Sequence, residues 1–272
     1  MRRKASAVGE CRLCQQNRRL RLSHFLPAAI FKMLRAPQSK IKGPILLTGT
    51  VTAPAPRQMR DALLCGECEK RLNKNGEAYV LGQMCHRERF PLLERLRVAL
   101  NFELTARPGV YSGPQVGVDT KKLAYFALSV VWRAAVHKWR VPFEKELYSI
   151  DIGEFEKPIA KFLLENKDFP ADVAIIVTVC TDRESQLMAF KPTVASSRAP
   201  LPASSVVIGF LACGIHFWVL LGPPVPPHLK NLCCFSSKRQ LIFMRDIQGY
   251  SIRARDSLAA TTRLSRSLQA HL

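Results

Sequence analysis

Two Cys-x-x-Cys pairs, Cys11-Arg-Leu-Cys14 and Cys65-Gly-Glu-Cys68, constrain this chain more than any other feature in it. Two intervening residues let a tight turn aim both sulfurs at one ion, so two such turns can close a tetrahedral thiolate site with Zn–S of about 2.3 Å. Gly66 gives the second turn conformational freedom directly after the apolar run Ala62-Leu63-Leu64. The polar segment from Glu67 to Val80 that follows is compatible with a helix. The alternative is four free or disulfide-bonded cysteines, but the total of nine is odd, which argues against complete pairing. The apolar stretch Ala5 to Gly9 is too short for a secretory signal, so the expected location is the cytoplasm and the expected cofactor is a structural Zn²⁺ on Cys11, Cys14, Cys65 and Cys68. Of the other cysteines, Cys85 stands beside His86 and offers a substitute ligand or part of a second site, although such an adjacent pair is usually incidental. Cys180 and Cys213 lie in apolar runs and read as core.

Charge is the second constraint. Lys and Arg total 41 against 21 Asp and Glu, a net charge of +20 and a pI near 10.0, while a hydrophobic content of 47% describes a globular chain. The excess is uneven: 21 basic against 8 acidic residues in 1–110, and 20 against 13 in 111–272. Arg18, Arg19 and Arg21 follow the first cysteine pair, and Lys70 and Arg71 follow the second. Clustered cations beside a zinc turn point to nucleic acid, DNA ahead of RNA, and to binding that weakens steeply with salt. The competing account is a solvated basic face that keeps the protein soluble.

Between the cysteine pairs runs Leu22-Ser23-His24-Phe25-Leu26-Pro27, then the helix candidate Ala28 to Leu34. Over residues 8–82 the chain resembles the zinc-supported HNH endonuclease family, with Cys11, Cys14, His24, Pro27, Leu64, Cys65 and Cys68 as the matching positions. The resemblance implies a treble-clef zinc module with a ββα-metal element. It also implies that His24 is the general base on a water and that a divalent ion, Mg²⁺ or Mn²⁺, sits beside it. Two positions depart from the family pattern. Ser23 stands where an acidic residue precedes the His, so one carboxylate ligand is missing. Glu69 stands where Asn or His follows the last Cys. A hard cation prefers oxygen ligands, so Glu69, Asn73 or Glu77 can substitute; consecutive members of that series are four residues apart and share a helix face.

Along the rest of the chain, 38–57 contains a β-prone centre, Ile45 to Val51, expected as a strand or hairpin. Pro91 to Leu100 has helical spacing behind a first-turn proline. The Pro- and Gly-rich stretch 105–118 reads as a linker between a module at 1–104 and a second domain at 119–272. Thr120 to Trp139 predicts a core helix with the polar stripe Ser129, Arg133, His137, whose charged members are expected to pair with Glu144 or Glu146. Phe155 to Asn166 predicts an amphipathic helix.

Asp172 to Cys180 predicts a strand paired with Ser185 to Phe190. Val206–Ala212 and Ile215–Leu221 predict a hairpin turning at Cys213-Gly214. Read as one uncharged run of 17 residues, Val206 to Gly222 falls at the short limit of a membrane span, and its β-branched and aromatic content favours the buried hairpin, hence no stable membrane insertion. Pro223 to Pro227 reads as a stiff linker, Lys238 to Met244 as a strand, and Asp256 to Leu272 as a basic amphipathic helix. No phosphate-binding glycine loop and no G-x-S-x-G elbow is present.

The expected fold is α+β, a zinc module followed by helices and an antiparallel sheet. Two functions are open. One is an HNH-like nuclease or nuclease-derived effector working through His24 with Glu69, Asn73 or Glu77. The other is a non-catalytic, zinc-dependent nucleic-acid-binding protein, a regulator or assembly subunit, with His24 as a local structural residue.

Overall fold

Strand β1 (Val8–Glu10) and strand β2 (Asn17–His24) flank the first cysteine pair as an antiparallel hairpin, Glu10 opposite Asn17. This computed structural model describes residues 8–34, 45–47, 52–54, 58–99, 109–194, 205–222, 225, 227–235 and 238–246. After β2 come helix α1 (Ala28–Met33), the short antiparallel pair β3 (Ile45–Leu47) and β4 (Thr52–Pro54), and strand β5 (Arg60–Cys65). β5 pairs with β2 to complete a three-stranded sheet. It leads straight into helix α2 (Gly66–Leu72), a π turn (Asn73–Glu77) and helix α3 (Ala78–Gln83), so the expected helix after the second cysteine pair is present with one widened turn.

Gly76 accounts for where that widening is tolerated. A Cβ there would lie 2.9 Å from the Phe126 amide nitrogen, so only glycine lets this turn press against the next helix.

Helix α4 (Pro91–Val98) and strand β6 (Val110–Ser112) precede the central element, helix α5 (Thr120–Val136). Asp119 caps α5 by accepting from the Lys122 amide at 3.0 Å. The apolar residues of α5 cover most of its circumference because it is enclosed on several sides: the π turn, α3 and helix α6 (Glu156–Glu165) pack on it as well as a sheet. The Phe126 ring meets Phe217 at 5.5 Å and Phe210 at 6.2 Å, while Tyr125 meets Phe162 at 5.6 Å. Each such side chain contributes roughly 1.5–3 kcal/mol by leaving water.

The short pair β7 (Trp139–Arg140) and β8 (Leu147–Tyr148) follows α5 directly. The remaining elements are β9 (Val173–Cys180), α7 (Arg183–Gln186), β10 (Ala189–Val194), β11 (Val206–Ala212), β12 (Ile215–Leu221), α8 (Pro227–Lys230) and β13 (Leu241–Arg245). The six-stranded sheet runs β10-β11-β12-β9-β13-β6. It is mixed, because β13 lies parallel to β9, whereas an antiparallel sheet was expected. The expected partner of β9 is also corrected: 183–186 is helical, β10 pairs with β11, and β12 and β13 flank β9. Asp182 caps α7 by accepting from the Ser185 amide at 2.8 Å, and that cap turns the chain out of the strand.

The hairpin of β11 and β12 forms as expected. Ala212 pairs with Ile215 across Cys213 and Gly214, both at positive φ (44° and 90°), the two-residue turn that matches strand twist. Among the described residues no helix is long and apolar enough to cross a membrane.

One continuous set of buried side chains runs from Cys11 to Ile242. It is not interrupted at the expected linker, where β6 pairs with β13 and only 105–108 lie outside the described residues. The tail 256–272 and the link 223–224 also lie outside them.

His216 sits within this core, its ring 4.6 Å from Trp218, and burial pushes its pKa down to about 4 from 6.5. The folded state therefore holds fewer protons than the unfolded chain between those values, and stability falls as pH drops from 6.5 towards 4. A loss of up to about 3 kcal/mol is expected from this residue. Urea unfolding at pH 7 and pH 4.5 should show a smaller acid loss in His216→Gln than in wild type; equal losses would contradict the assignment.

Candidate functional site

The two cysteine turns converge because β2 and β5 pair with Leu20 opposite Cys65. In the first turn the Cys11 amide donates to the Gln16 carbonyl at 3.0 Å, and the Gln15 amide donates to the Cys11 carbonyl at 2.8 Å with Gln15 at φ +56°. The Arg12 amide then donates to the Leu63 carbonyl at 3.1 Å, fixing the turn to β5. Cys65 ends β5 at the head of α2 and Cys68 occupies the first helical turn.

All four Sγ atoms lie within 4.8 Å of one another, with Cys14 and Cys65 at 3.9 Å. A tetrahedron with Zn–S of 2.3 Å has an edge of about 3.8 Å. The Cys65 amide donates to Cys11 Sγ at 3.3 Å, a bond that favours a thiolate. Hydrogen bonding from Cys68 holds the Cys11 thiol down at about 4, the same bond pushes the Cys68 thiol up, and burial raises Cys14. Thiols this close resist joint ionisation until a cation neutralises them, which a bound ion does. The four cysteines can hold a metal such as zinc. Among the described residues they are the only group of three or more His, Cys, Asp or Glu side chains near enough to share one ion.

His24 is the last residue of β2, opposite Arg60, and half-buried. Burial and the Arg60 charge push its pKa below 6.5, Arg133 adds to this, and the Glu69 carboxylate opposes it. The ring is therefore neutral near pH 7 and able to accept a proton. Ser23, beside it, is fully buried. A bulge at Leu63 shifts the β2–β5 register, and the Leu64 amide donates to Ser23 Oγ at 3.1 Å. A charged carboxylate is costly to bury at this inward position, whereas the serine hydroxyl is satisfied by one backbone donor.

The three candidate ligands on the helix separate. Asn73 is exposed at the start of the π turn. Glu77 is buried and its Oε1 pairs with Arg133 Nη2. Glu69 Oε1 is buried and has no hydrogen-bond partner.

The α5 stripe is corrected in its partners. Arg133 pairs with Glu77, and His137 Nε2 lies 3.2 Å from Asp61 Oδ2, while Glu144 pairs with Lys191 at 3.2 Å. Arg133 is buried and also donates from Nη1 to the carbonyls of His24 at 3.2 Å and Phe25 at 3.5 Å. No local pattern marks partners so far apart in sequence. The usable signal was an arginine on a helix otherwise apolar, which must find a counter-charge wherever the fold brings one.

Of the expected nucleic-acid contacts, Arg18, Arg19 and Arg21 are exposed on β2, and Lys70 is exposed and bridges to Glu67 at 3.2 Å. Arg71 instead donates to the Leu164 carbonyl near the end of α6, a structural use. His86 is exposed while Cys85 is buried with its Sγ 3.9 Å from Gln186 Oε1, so the pair forms no second metal site. Cys180 and Cys213 are buried, as expected. Compared with protein families, with curated proteins and with solved structures, the chain matches none.

Proposed function

We propose that this protein is a metal-dependent phosphodiesterase of HNH-like type acting on nucleic acid, with His24 as the base and a structural zinc on Cys11, Cys14, Cys65 and Cys68. The observation that carries the reading is Glu69 Oε1, buried without a partner, with the half-buried His24 held below its usual pKa mainly by burial. A buried carboxylate oxygen left open is costly in a purely structural role and suits a cation ligand. Glu69 is the helix residue left for that task, since Glu77 is committed to Arg133 and Asn73 faces solvent. A divalent ion there would supply charge stabilisation at the scissile phosphate. His24 takes the proton of the attacking water, and the exposed Arg18 and Arg21 on the same strand hold the phosphate backbone.

Plasmid DNA and single-stranded RNA, offered to zinc-loaded protein with Mg²⁺ or Mn²⁺, test this. His24→Ala at equal zinc content is expected to retain binding and to lose roughly a hundredfold or more of the cleavage rate. Absence of cleavage by wild type with either metal, alongside salt-sensitive binding, would sink the catalytic assignment.

A second reading, a non-catalytic zinc-dependent nucleic-acid-binding protein, is favoured by one observation. The Ser23 hydroxyl and the Glu77 carboxylate are both consumed by internal bonds, which leaves Glu69 alone as an open carboxylate.

A further inference from the structure

We infer that Arg133 is a positioning residue for His24: its buried guanidinium ties the carbonyls at the end of β2 to Glu77 on the π turn, so that α5 completes the site of the cysteine module. The inference rests on the reading of His24 as the working base.

The β2–β5 ladder ends at His24. Beyond it the Phe25 amide still finds the Met59 carbonyl at 3.0 Å, but the chain then turns through Pro27 into α1. The carbonyls of His24 and Phe25 point instead at Arg133 Nη1. Nη2 takes Glu77, and the Arg133 carbonyl accepts from Trp139 Nε1 at 2.8 Å, so the residue is held from both ends. Three segments that diverge in sequence meet on one planar fork of donors. Lysine, a point charge on a flexible stem, cannot span the same acceptors.

Stability alone does not explain the device. A buried ion pair replaced on both sides by apolar residues of similar volume often leaves stability unchanged or raised. What an apolar pair cannot do is hold two carbonyl oxygens, and with them the backbone that aims the imidazole. Small displacements at that point are expensive for catalysis. The Glu69 charge acts on both residues, raising the pKa of His24 and of Arg133 against the effect of burial.

The decisive variant is the double replacement Glu77→Leu/Arg133→Met, measured beside Arg133→Lys and beside Ile175→Ala, which removes buried side-chain volume from β9 and leaves this cluster untouched. Two readouts are taken on folded, zinc-loaded protein. One is the NMR signals of the His24 ring and of the backbone at 24–25; the other is kcat and KM for cleavage with Mg²⁺ or Mn²⁺. The double variant is expected to lose less stability than Arg133→Met alone, to keep KM and to lose roughly tenfold to a hundredfold in kcat. Its His24 signals should shift well beyond those of Ile175→Ala. Arg133→Lys should move in the same direction and serves if the double variant does not fold. His24 signals that stay at wild-type positions, or that move as much in Ile175→Ala, overturn the inference, as does an unchanged kcat in the double variant. If wild type cuts nothing, the proposed function falls by itself, and the NMR signals still decide whether Arg133 holds His24.

Discussion

Removal of the metal from zinc-loaded protein by a strong chelator is expected to undo the β1–β2–β5 sheet and the start of α2. Cys65→Ser is expected to do the same. Strand β1 has three residues, and the hydrophobic members of this corner are the cysteines themselves with Leu13, Leu20, Leu63 and Leu64. A structural zinc contributes apparent free energies of about 10 to 16 kcal/mol in small isolated modules. Here the neighbouring core shares the load, so a loss of several kcal/mol confined to this module follows, with four crowded thiols left to repel on ionisation. Zinc content by atomic emission and amide exchange at β2 and β5 are the measurements. The expected result is one zinc per chain in wild type, less in Cys65→Ser, and exchange that accelerates at β2 and β5 before it does at β9 and β12. Amide protection at β2 that survives complete metal removal would refute a structural role for the ion.

Arg133→Met alone is expected to be among the most destabilising single changes in the chain, by about 3 to 5 kcal/mol. Arg133 is 2% exposed and Glu77 7%, so deleting the cation strands a carboxylate where water cannot reach it. The carbonyls of His24 and Phe25 lose their donor as well. Burial already disfavours the charged guanidinium, and the Glu69 carboxylate opposes that effect. Urea unfolding monitored by tryptophan fluorescence, with Trp132 and Trp139 both buried near the site, reads the change directly. A loss under about 1 kcal/mol would mean that the pair is solvated in solution and that the buried geometry is not its working state.

Much of the candidate site was legible because its chemistry is local. A pair of cysteines two residues apart makes its own turn, and nothing beyond a shared ion or a shared sheet is needed to predict that two pairs meet. The hairpin at Cys213-Gly214, α4, α5, α6 and the second cysteine helix were readable for the same reason, since period, caps and turn residues lie within one window. His24 was visible through its place between the cysteine pairs. The choice among Glu69, Asn73 and Glu77 was not, since all three share a helix face in an ideal helix. The π turn at Asn73–Glu77 breaks that register, and packing then sends Glu77 inward to Arg133 and Asn73 out to solvent.

What required the tertiary structure was every pairing between distant segments. Strand β9 carries no mark saying that its neighbours are β12 and the parallel β13 rather than the segment that follows it, because strand partners are chosen by sheet packing and not by sequence proximity. The expected break at 105–118 rested on Pro and Gly composition, yet β6 joins the large sheet there and α5 packs on the π turn of the cysteine module. By itself the sequence determined the four metal-competent cysteines, the basic run at Arg18 to Arg21 and most of the helices, all set by spacing along the chain. The fold alone decided that Ser23 fills a bulge, that Glu77 is spent on Arg133 and that Glu69 remains open, because burial and counter-charge are properties of three-dimensional neighbours.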